Sequence, residues 1–460
     1  MLVVTYRRAR ALPPGPRDLL VLGNIFEISK QTPCVKLIEW AREFGPIYSL
    51  NIADGNHIAF AHYGTKWKKM RRAAHEGFNV RATKNYEPVL SREAAFATIQ
   101  MLKSPKTWAD HLNRVTAGGI LAAVYGWPPL SDKAELFIEN IHAHVSRLTE
   151  SAAPGAHLVE IIPVLKYAPL WMAEWKREGM EWHQRETEIF EGLIKDVQDE
   201  MRLGSLPQCF VSNILQNKDR HQLTDKEAAW LSGIEFSAGA GTTSTTLLYF
   251  IQAMVLYPDV MHKAHSELDI VIGRDRIPTF DDQENLVYVE AIVKEVLRWR
   301  PVGPLAVPRR VIQDDWYDEY LIPKGATVIT NIWIVSWISR DPKIFSDFDD
   351  FRPERFFDAM PEDTHSMGHA TYSFGRRMCA GYNFANQTLF ITIATILWAL
   401  NIHEAKDEDG KPVLPSKHDF LDTGLIVAPV PFMCEFSPRF PGALSALQRE
   451  MPDDMREQDT

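Results

Sequence analysis

Cysteine is scarce in this chain of 460 residues: Cys34, Cys209, Cys379 and Cys434 are the four present, with no CxxC spacing and no close pair. That excludes a disulfide scaffold as the basis of stability and fits a reducing compartment. Long hydrophobic runs are missing too. The N-terminus offers only Leu2-Val3-Val4 before Arg7, Arg8 and Arg10, far short of the ~20 apolar residues that cross a bilayer, and no signal peptide is legible there. The longest uncharged stretch, Ala380 to Ile402, is interrupted by Asn383, Asn386 and Gln387, so it reads as a buried helix rather than a membrane span. An excess of positive charge is lacking as well. Fifty Lys and Arg against sixty Asp and Glu give a net charge of −10, which argues against bulk nucleic-acid binding and leaves room for a local basic face. There is no internal repeat and no low-complexity segment.

What is present is the composition of an average soluble globular protein, 45% hydrophobic and 24% charged, with length enough for a large core. Length alone suggests about three domains, but composition marks no boundary between them. Pro13-Pro14-Gly15-Pro16 is a stiff hinge that cannot enter a helix, so residues 1–16 form an arm and hinge, 17–445 the body, and 446–460 a polar, acidic tail expected to be disordered.

Local signals make the body mainly α-helical with a small β region. Pro46 to Asn51 and His57 to Phe60 read as short strands around the turn Asp54-Gly55-Asn56. From Trp67 helices dominate. Ser131 to Glu150 and Ala173 to Leu203 are amphipathic, the second ending at Gly204. Thr224-Asp225-Lys226-Glu227 has the form of a capping box, and no proline follows until Pro258, so a helix of about 33 residues, near 50 Å, crosses the body. Pro258 to Ile272 and Asp281 to Arg300 are further helices, stopped at Gly273 and Pro301. Tyr320-Leu321-Ile322 and Ala326 to Thr330 read as strands flanking a type I turn at Pro323-Lys324-Gly325.

The most specific chemistry lies in Tyr372-Ser373-Phe374-Gly375-Arg376-Arg377-Met378-Cys379-Ala380-Gly381, which leads into the uncharged helix. A cysteine between two glycines, beside two arginines and at a helix start, sits where backbone N–H groups and positive charge favour thiolate. Thiolate is the donor a haem iron needs for strong axial electron donation. Gly375 and Gly381 permit tight turns beside a flat ring, and Arg377 can pair with a propionate. Cys34, Cys209 and Cys434 read as buried structural cysteines.

This segment resembles the haem-binding loop of the cytochrome P-450 (haem-thiolate monooxygenase) family, whose pattern Phe-x-x-Gly-x-Arg-x-Cys-x-Gly is matched at Gly375, Arg377, Cys379 and Gly381, with Tyr372 for the phenylalanine. Three further motifs follow the family's order, and the resemblance covers Pro13 to about Phe440. Lys294-Glu295-Val296-Leu297-Arg298 with Phe351-Arg352-Pro353-Glu354-Arg355-Phe356 resembles its Glu-x-x-Arg and Pro-Glu-Arg-Phe triad, which implies a structural role near the haem for Glu295, Arg298 and Arg355. Ala238-Gly239-Ala240-Gly241-Thr242-Thr243 lies mid-way along the long helix. Two glycines there cost about 1 kcal/mol each against alanine, so either something bulky approaches closely or small residues serve helix packing. The resemblance implies that Thr242 hydrogen-bonds dioxygen and its attached water during proton delivery. The acid that usually precedes this threonine is Gly241 here, and Glu235, two turns earlier on the same side, is not assigned the missing role. In Trp67-Lys68-Lys69-Met70-Arg71-Arg72, Trp67, Arg71 and His75 share a helix face. The resemblance implies that Trp67 and Arg71 bind a propionate, while Lys68, Lys69 and Arg72 join a basic patch that docks an acidic reductase.

The resemblance implies a cytochrome P-450 fold with a long central helix over one haem b on Cys379. It implies insertion of one oxygen atom from O2 into a hydrophobic substrate, with NADPH-derived electrons passed by a reductase or cytochrome b5 to a monomer. Pocket walls would come from Pro301 to Pro308 (Val302, Leu305, Ala306) and Asp422 to Val427 (Leu425, Ile426), mainly apolar residues. The wording of Leu286 to Pro308 and Pro323 to Gly381 resembles fungal microsomal members, O-methylsterigmatocystin oxidoreductase-like, which places such proteins in secondary metabolism or xenobiotic oxidation at the endoplasmic reticulum membrane. This chain shows no transmembrane anchor, so a peripheral or cytoplasmic location is also open. Several dozen residues expected between Ile58 and Tyr63, including a substrate-capping loop, are missing, which would open the distal pocket to water. Asn331-Ile332-Trp333 also lies farther from Asp341-Pro342 than the pattern leads one to expect. Two alternatives stay open: a haem-thiolate isomerase, dehydratase or peroxide-using enzyme, suggested by Gly241, and an inactive haem-binding protein, suggested by the missing cap.

Overall fold

Helix packs on helix throughout the computed structural model, which describes residues 63–127, 167–204, 208–307, 309–330, 332, 339–340, 344–357, 367–423 and 426–451. The proposed strands at Pro46–Asn51 and His57–Phe60, the Ser131–Glu150 helix and the chain beyond Met451 lie outside those residues. The main helices are α1 (Thr65–Phe78), α2 (Glu87–Lys103), α3 (Trp108–Tyr125), α4 (Glu174–Leu203), α5 (Asp225–Leu256), α6 (Pro258–Val271), α7 (Val287–Trp299), α8 (Tyr382–Ala399) and α9 (Ala443–Arg449).

The central helix α5 starts where its sequence says. Thr224 Oγ1 accepts the Glu227 N–H, and Glu227 returns a carboxylate oxygen to the Thr224 N–H, the reciprocal pair of a capping box. It then runs for 32 residues. Most of its interior is buried against α3, α4 and α8. Small residues make the close packing possible: a Cβ on Gly239 would lie 2.9 Å from Ile120 Cγ1, and one on Gly233 would lie 2.5 Å from the Phe190 ring. Gly239 therefore serves helix packing, the blander of the two expected readings.

Helix α8 is buried all round from Thr388 to Ala399, as its uncharged sequence requires. It ends at Ala399, and the expected continuation to Ile402 is instead the start of a strand over Leu400–Lys406. The three polar residues in its first half each meet a partner. Asn386 Oδ1 accepts the Tyr372 hydroxyl at 2.6 Å, Asn383 donates to the Phe78 carbonyl, and Gln387 donates to Glu87.

Two expectations are corrected. The helix expected over Asp281–Arg300 is broken at Leu286 into a 3-10 turn (Phe280–Asn285) and α7. Glu267 of α6 accepts the N–H groups of Tyr288 and Val289, so a carboxylate from another helix caps the new start. At Pro323–Ala326 the turn is closed by Ala326 N–H to the Pro323 carbonyl, with Gly325 at φ +90°. That is type II, with proline in the first position. Its flanking strands pair elsewhere: β1 (Arg309–Arg310) with β4 (Thr327–Val328), and β2 (Asp315–Tyr317) with β3 (Tyr320–Ile322), all antiparallel. A three-stranded sheet joins β5 (Leu400–Lys406) to β6 (Pro412–Val413) and β9 (Cys434–Pro438), and β7 (Phe420–Asp422) pairs with β8 (Val427–Pro429). Helix α9 packs on α2 and, with Met451, belongs to the common core.

Candidate functional site

The loop before α8 is shaped by backbone bonds that its residues make unavoidable. Ser373 and Gly375 both lie at positive φ, 62° and 63°. Glycine adopts this freely and serine does so under strain. The Cys379 N–H closes the loop on the Tyr372 carbonyl at 3.0 Å, and Met378 N–H closes a short turn on Gly375. The chain turns at Ala380–Gly381 as expected, but Gly381 has φ −92°, which any residue adopts, so the turn does not depend on glycine. The Gly381 N–H group donates to the Cys379 sulfur.

Cys379 combines two properties. Its side chain has an exposed surface, yet it lies deep enough among protein atoms that desolvation pushes its thiol up to about 11, against the opposing pull of Gly381 N–H and Arg71. Both hold when a residue faces an internal cavity rather than open solvent. Burial here opposes the backbone N–H and the positive charge that favour thiolate, and an electron-pair acceptor such as a metal ion draws the proton off.

The middle of α5 borders the same space, because the charge of its Glu235 acts on Cys379. Ile234, Ala238 and Thr242 are exposed and Glu235, Gly239 and Gly241 half-exposed, although the helix around them is buried. The spacing of four puts the exposed residues on one face. Thr242 Oγ1 donates to the Ala238 carbonyl at 2.8 Å, which leaves its lone pairs turned to the cavity. Glu235 also faces it. Its charge acts on Cys379 and is acted on by Arg71, and burial pushes its carboxyl up to about 7.

The basic groups come together at one rim. The Arg377 guanidinium stacks 4.8 Å over the Trp67 ring, which joins two residues more than three hundred positions apart in sequence. Arg376 donates to the Tyr63 hydroxyl and lies over its ring. Arg71, one turn beyond Trp67, has no hydrogen bond or ion pair among the described residues. Arg309, which carries no motif in the sequence, donates to Ser373 Oγ at 2.6 Å. Burial lowers the Arg309 guanidinium, and burial with Arg309 close by lowers that of Arg377. Two partly buried like charges side by side suit a dianionic ligand. Of the cations expected at a surface patch, Lys68 and Arg72 are exposed, while Lys69 donates to the Gln222 carbonyl.

Glu295, Arg298 and Arg355 form one buried cluster. Arg298 donates to both Glu295 oxygens at 2.6 and 2.8 Å, and Arg355 Nε adds a third bond at 3.1 Å. Both arginines also reach carbonyls of the preceding loop, Arg298 to Ser339 and Arg355 to Ser346. Val302, Leu305 and Ala306 follow α7, and Val427 N–H bonds the Val302 carbonyl, so the two expected pocket segments are neighbours. Leu425 lies outside the described residues, as does the Ile58–Tyr63 junction apart from Tyr63 itself.

The residues present fit a haem. No group of three or more His, Cys, Asp or Glu that could hold a bare ion occurs among the described residues. A metal at Cys379 would take its remaining ligands from a cofactor, and the basic rim suits that cofactor's carboxylates. No described helix is long and apolar enough to cross a membrane.

Comparison with known proteins agrees with this geometry. The family description "Cytochrome P450" matches residues 49–436. Cytochrome P450 monooxygenases 58 and 253 of Postia placenta are each 45% identical, over 93% of this chain and 89% of theirs. A cytochrome P450 monooxygenase of Armillaria gallica is 37% identical over 97% of this chain and 94% of its own. The first alignment spans 471 positions, more than the 460 residues of the chain, so the relative carries internal residues that this chain lacks. Members of the family use a haem with a cysteine thiolate, dioxygen, and NADPH-derived electrons from redox partners, and act on hydrophobic substrates. The chain belongs to the cytochrome P450 family of haem-thiolate monooxygenases.

Proposed function

We propose that Cys379 is the single protein ligand of a haem b held between the loop before α8 and the middle of α5, in one unit built from the whole body after the Pro-rich hinge. The observation that carries this is the pairing of a deep cysteine that opens onto a cavity with an exposed stripe, Ile234, Ala238 and Thr242, on an otherwise buried helix facing it. Bound there, the haem supplies reductive activation of dioxygen with electrons that an NADPH-cytochrome reductase, or cytochrome b5, delivers at the exposed basic face around Lys68 and Arg72.

The chain's own residues do the rest. Cys379 offers its sulfur lone pairs, steadied by the Gly381 N–H. Trp67, Arg71, Arg309 and Arg377 bind the two propionates and so fix the ring's rotation about its axis. Thr242 holds a proton at Oγ1 and passes it on as it accepts another. Val302, Leu305, Ala306 and Ile426 bind an apolar substrate and exclude water around it. Glu295, Arg298 and Arg355 touch no reacting atom and hold the loop beneath. Secondary metabolism or xenobiotic oxidation at a membrane surface is the setting that the resemblance to fungal microsomal members implies.

The test is the carbon monoxide difference spectrum of the reduced, haem-loaded protein. Wild type is expected to give the thiolate-type band and Cys379→Ala to lose it. A variant that keeps the band would overturn the ligand assignment.

A further inference from the structure

One ionisable group on the cavity wall has no part in the scheme above. Glu235 stands seven residues before Thr242, so their side chains leave α5 in nearly the same direction, about 10 Å apart along the axis. Ala238 lies between them and is small and exposed, which leaves space for water. No described residue gives the Glu235 carboxylate a hydrogen bond or an ion pair. The charged or titratable groups that act on it are Arg71 from α1 and Cys379 from the loop. From α3, the apolar Ile120 meets this stretch at Gly239 and the Tyr125 ring packs on Phe236, next to Glu235. Burial holds its carboxyl at about 7 against the pull of Arg71, so acid and base forms coexist near neutrality.

The reaction needs such a group. Converting RH and O2 to ROH and H2O takes two electrons and two protons. NADPH supplies the electrons by way of the reductase, one oxygen atom enters the product, and the other leaves as water. The protons must come from solvent across an apolar cavity. Thr242 can relay a proton but stores none, and Gly241 contributes no side chain at all.

We propose that Glu235 is the acid that feeds protons to dioxygen reduction in this chain, through a short file of waters past Ala238 to Thr242. This rests on the placement of the cofactor at Cys379. In each transfer the Glu235 carboxyl gives its proton to the first water, that water passes one on, and Thr242 Oγ1 accepts one as it releases its own. Glu235 is left as carboxylate and is reprotonated by water at its half-exposed edge.

The experiment uses the full chain loaded with haem, purified reductase, NADPH and 7-ethoxycoumarin as an apolar test substrate. It compares wild type with Glu235→Gln, Glu235→Asp and the double variant E235Q/G241E, which moves the acid next to Thr242. NADPH oxidation by Glu235→Gln at neutral pH is expected to fall about a hundredfold, the usual worth of a positioned proton donor, with a larger solvent deuterium isotope effect. Glu235→Asp and E235Q/G241E should restore part of the loss. Wild-type turnover should decline as pH rises through about 7. Independently of turnover, infrared difference spectra of the loaded protein should show a carboxylic C=O band that titrates in the same range and is missing from Glu235→Gln. An unchanged rate and isotope effect in Glu235→Gln, a flat wild-type profile across neutrality, or a titrating band that survives the substitution would each overturn the proposal. Absence of the thiolate-type carbon monoxide band from wild type itself would instead remove the cofactor placement, and this inference with it.

Discussion

At Glu295 one carboxylate answers two guanidiniums. Glu295 and Arg298 are fully buried, and the Arg352 N–H completes the set of donors on Glu295. Replacing the carboxylate by an amide leaves Arg298 buried with only neutral acceptors. Breaking a buried pair in this way costs roughly 3–5 kcal/mol because the remaining charge is uncompensated. Glu295→Gln is therefore expected to lower the urea midpoint and the fraction of haem retained together. A midpoint equal to wild type would show that the cluster does not hold the loop. In sequence this pair is indistinguishable from an exposed helical ion pair of small value. Ser339, Asp350 and Arg355 close over it from more than forty residues away.

Among the elements, α4 and α5 interlock through one side chain. Phe190 fills the space that Gly233 leaves open, its ring atoms 2.5–2.6 Å from where a Cβ would stand, and Trp230 beside it donates to Thr187 of α4. Gly233→Ala should cost about 1–3 kcal/mol, the range for overpacking a close contact. Combining it with Phe190→Leu should recover part of the loss. Thermal unfolding of the single and double variants checks this, and strict additivity would refute the interlock. Helix limits that depend on neighbouring residues were legible in sequence: the capping box at Thr224, the stop at Gly204 with φ +75°, and proline at the start of α6. The break at Leu286 was not, because its cause is Glu267 on another helix. Arg309 was passed over, and Glu235 was named but set aside because it lies two turns from Thr242. One has no motif, and the other gains its meaning from Arg71 and Cys379, which approach only after folding. The residues around Trp67, Thr242 and Cys379 could be named from sequence because each group lies close together in the chain, whereas the Glu295 cluster draws Arg355 from 60 residues away.

Over the whole molecule, two buried histidines set the acid limb of stability. Burial holds His265 and His369 down to about 3, with nearby positive charge from Arg439 and Lys294 adding to it. The folded protein refuses protons that the unfolded chain accepts below 6.5, the ordinary histidine value. Stability is then complete above 6.5 and drains away as pH falls towards 3. Glu93 acts in the opposite sense: burial raises its carboxyl to about 7, so it costs stability as pH rises from 4.5 to 7. The difference between wild type and a His265→Gln, His369→Gln variant isolates the histidines. The variant's urea midpoint should fall less steeply between pH 6.5 and 4, and parallel curves would contradict the assignment.

The bond between Arg376 and Tyr63 spans 313 residues of chain, and the Arg377 stack on Trp67 spans nearly as many. A ribosome extends the chain from its N-terminus at about 5–20 residues per second, so α1 waits roughly 15 to 60 s for the loop that completes its rim. During that interval Trp67 and Arg71 have been made but face no partner. The cradle is therefore a product of the end of synthesis, and a nascent chain halted before Cys379 has most of its helices but lacks the sulfur proposed as the cofactor's ligand.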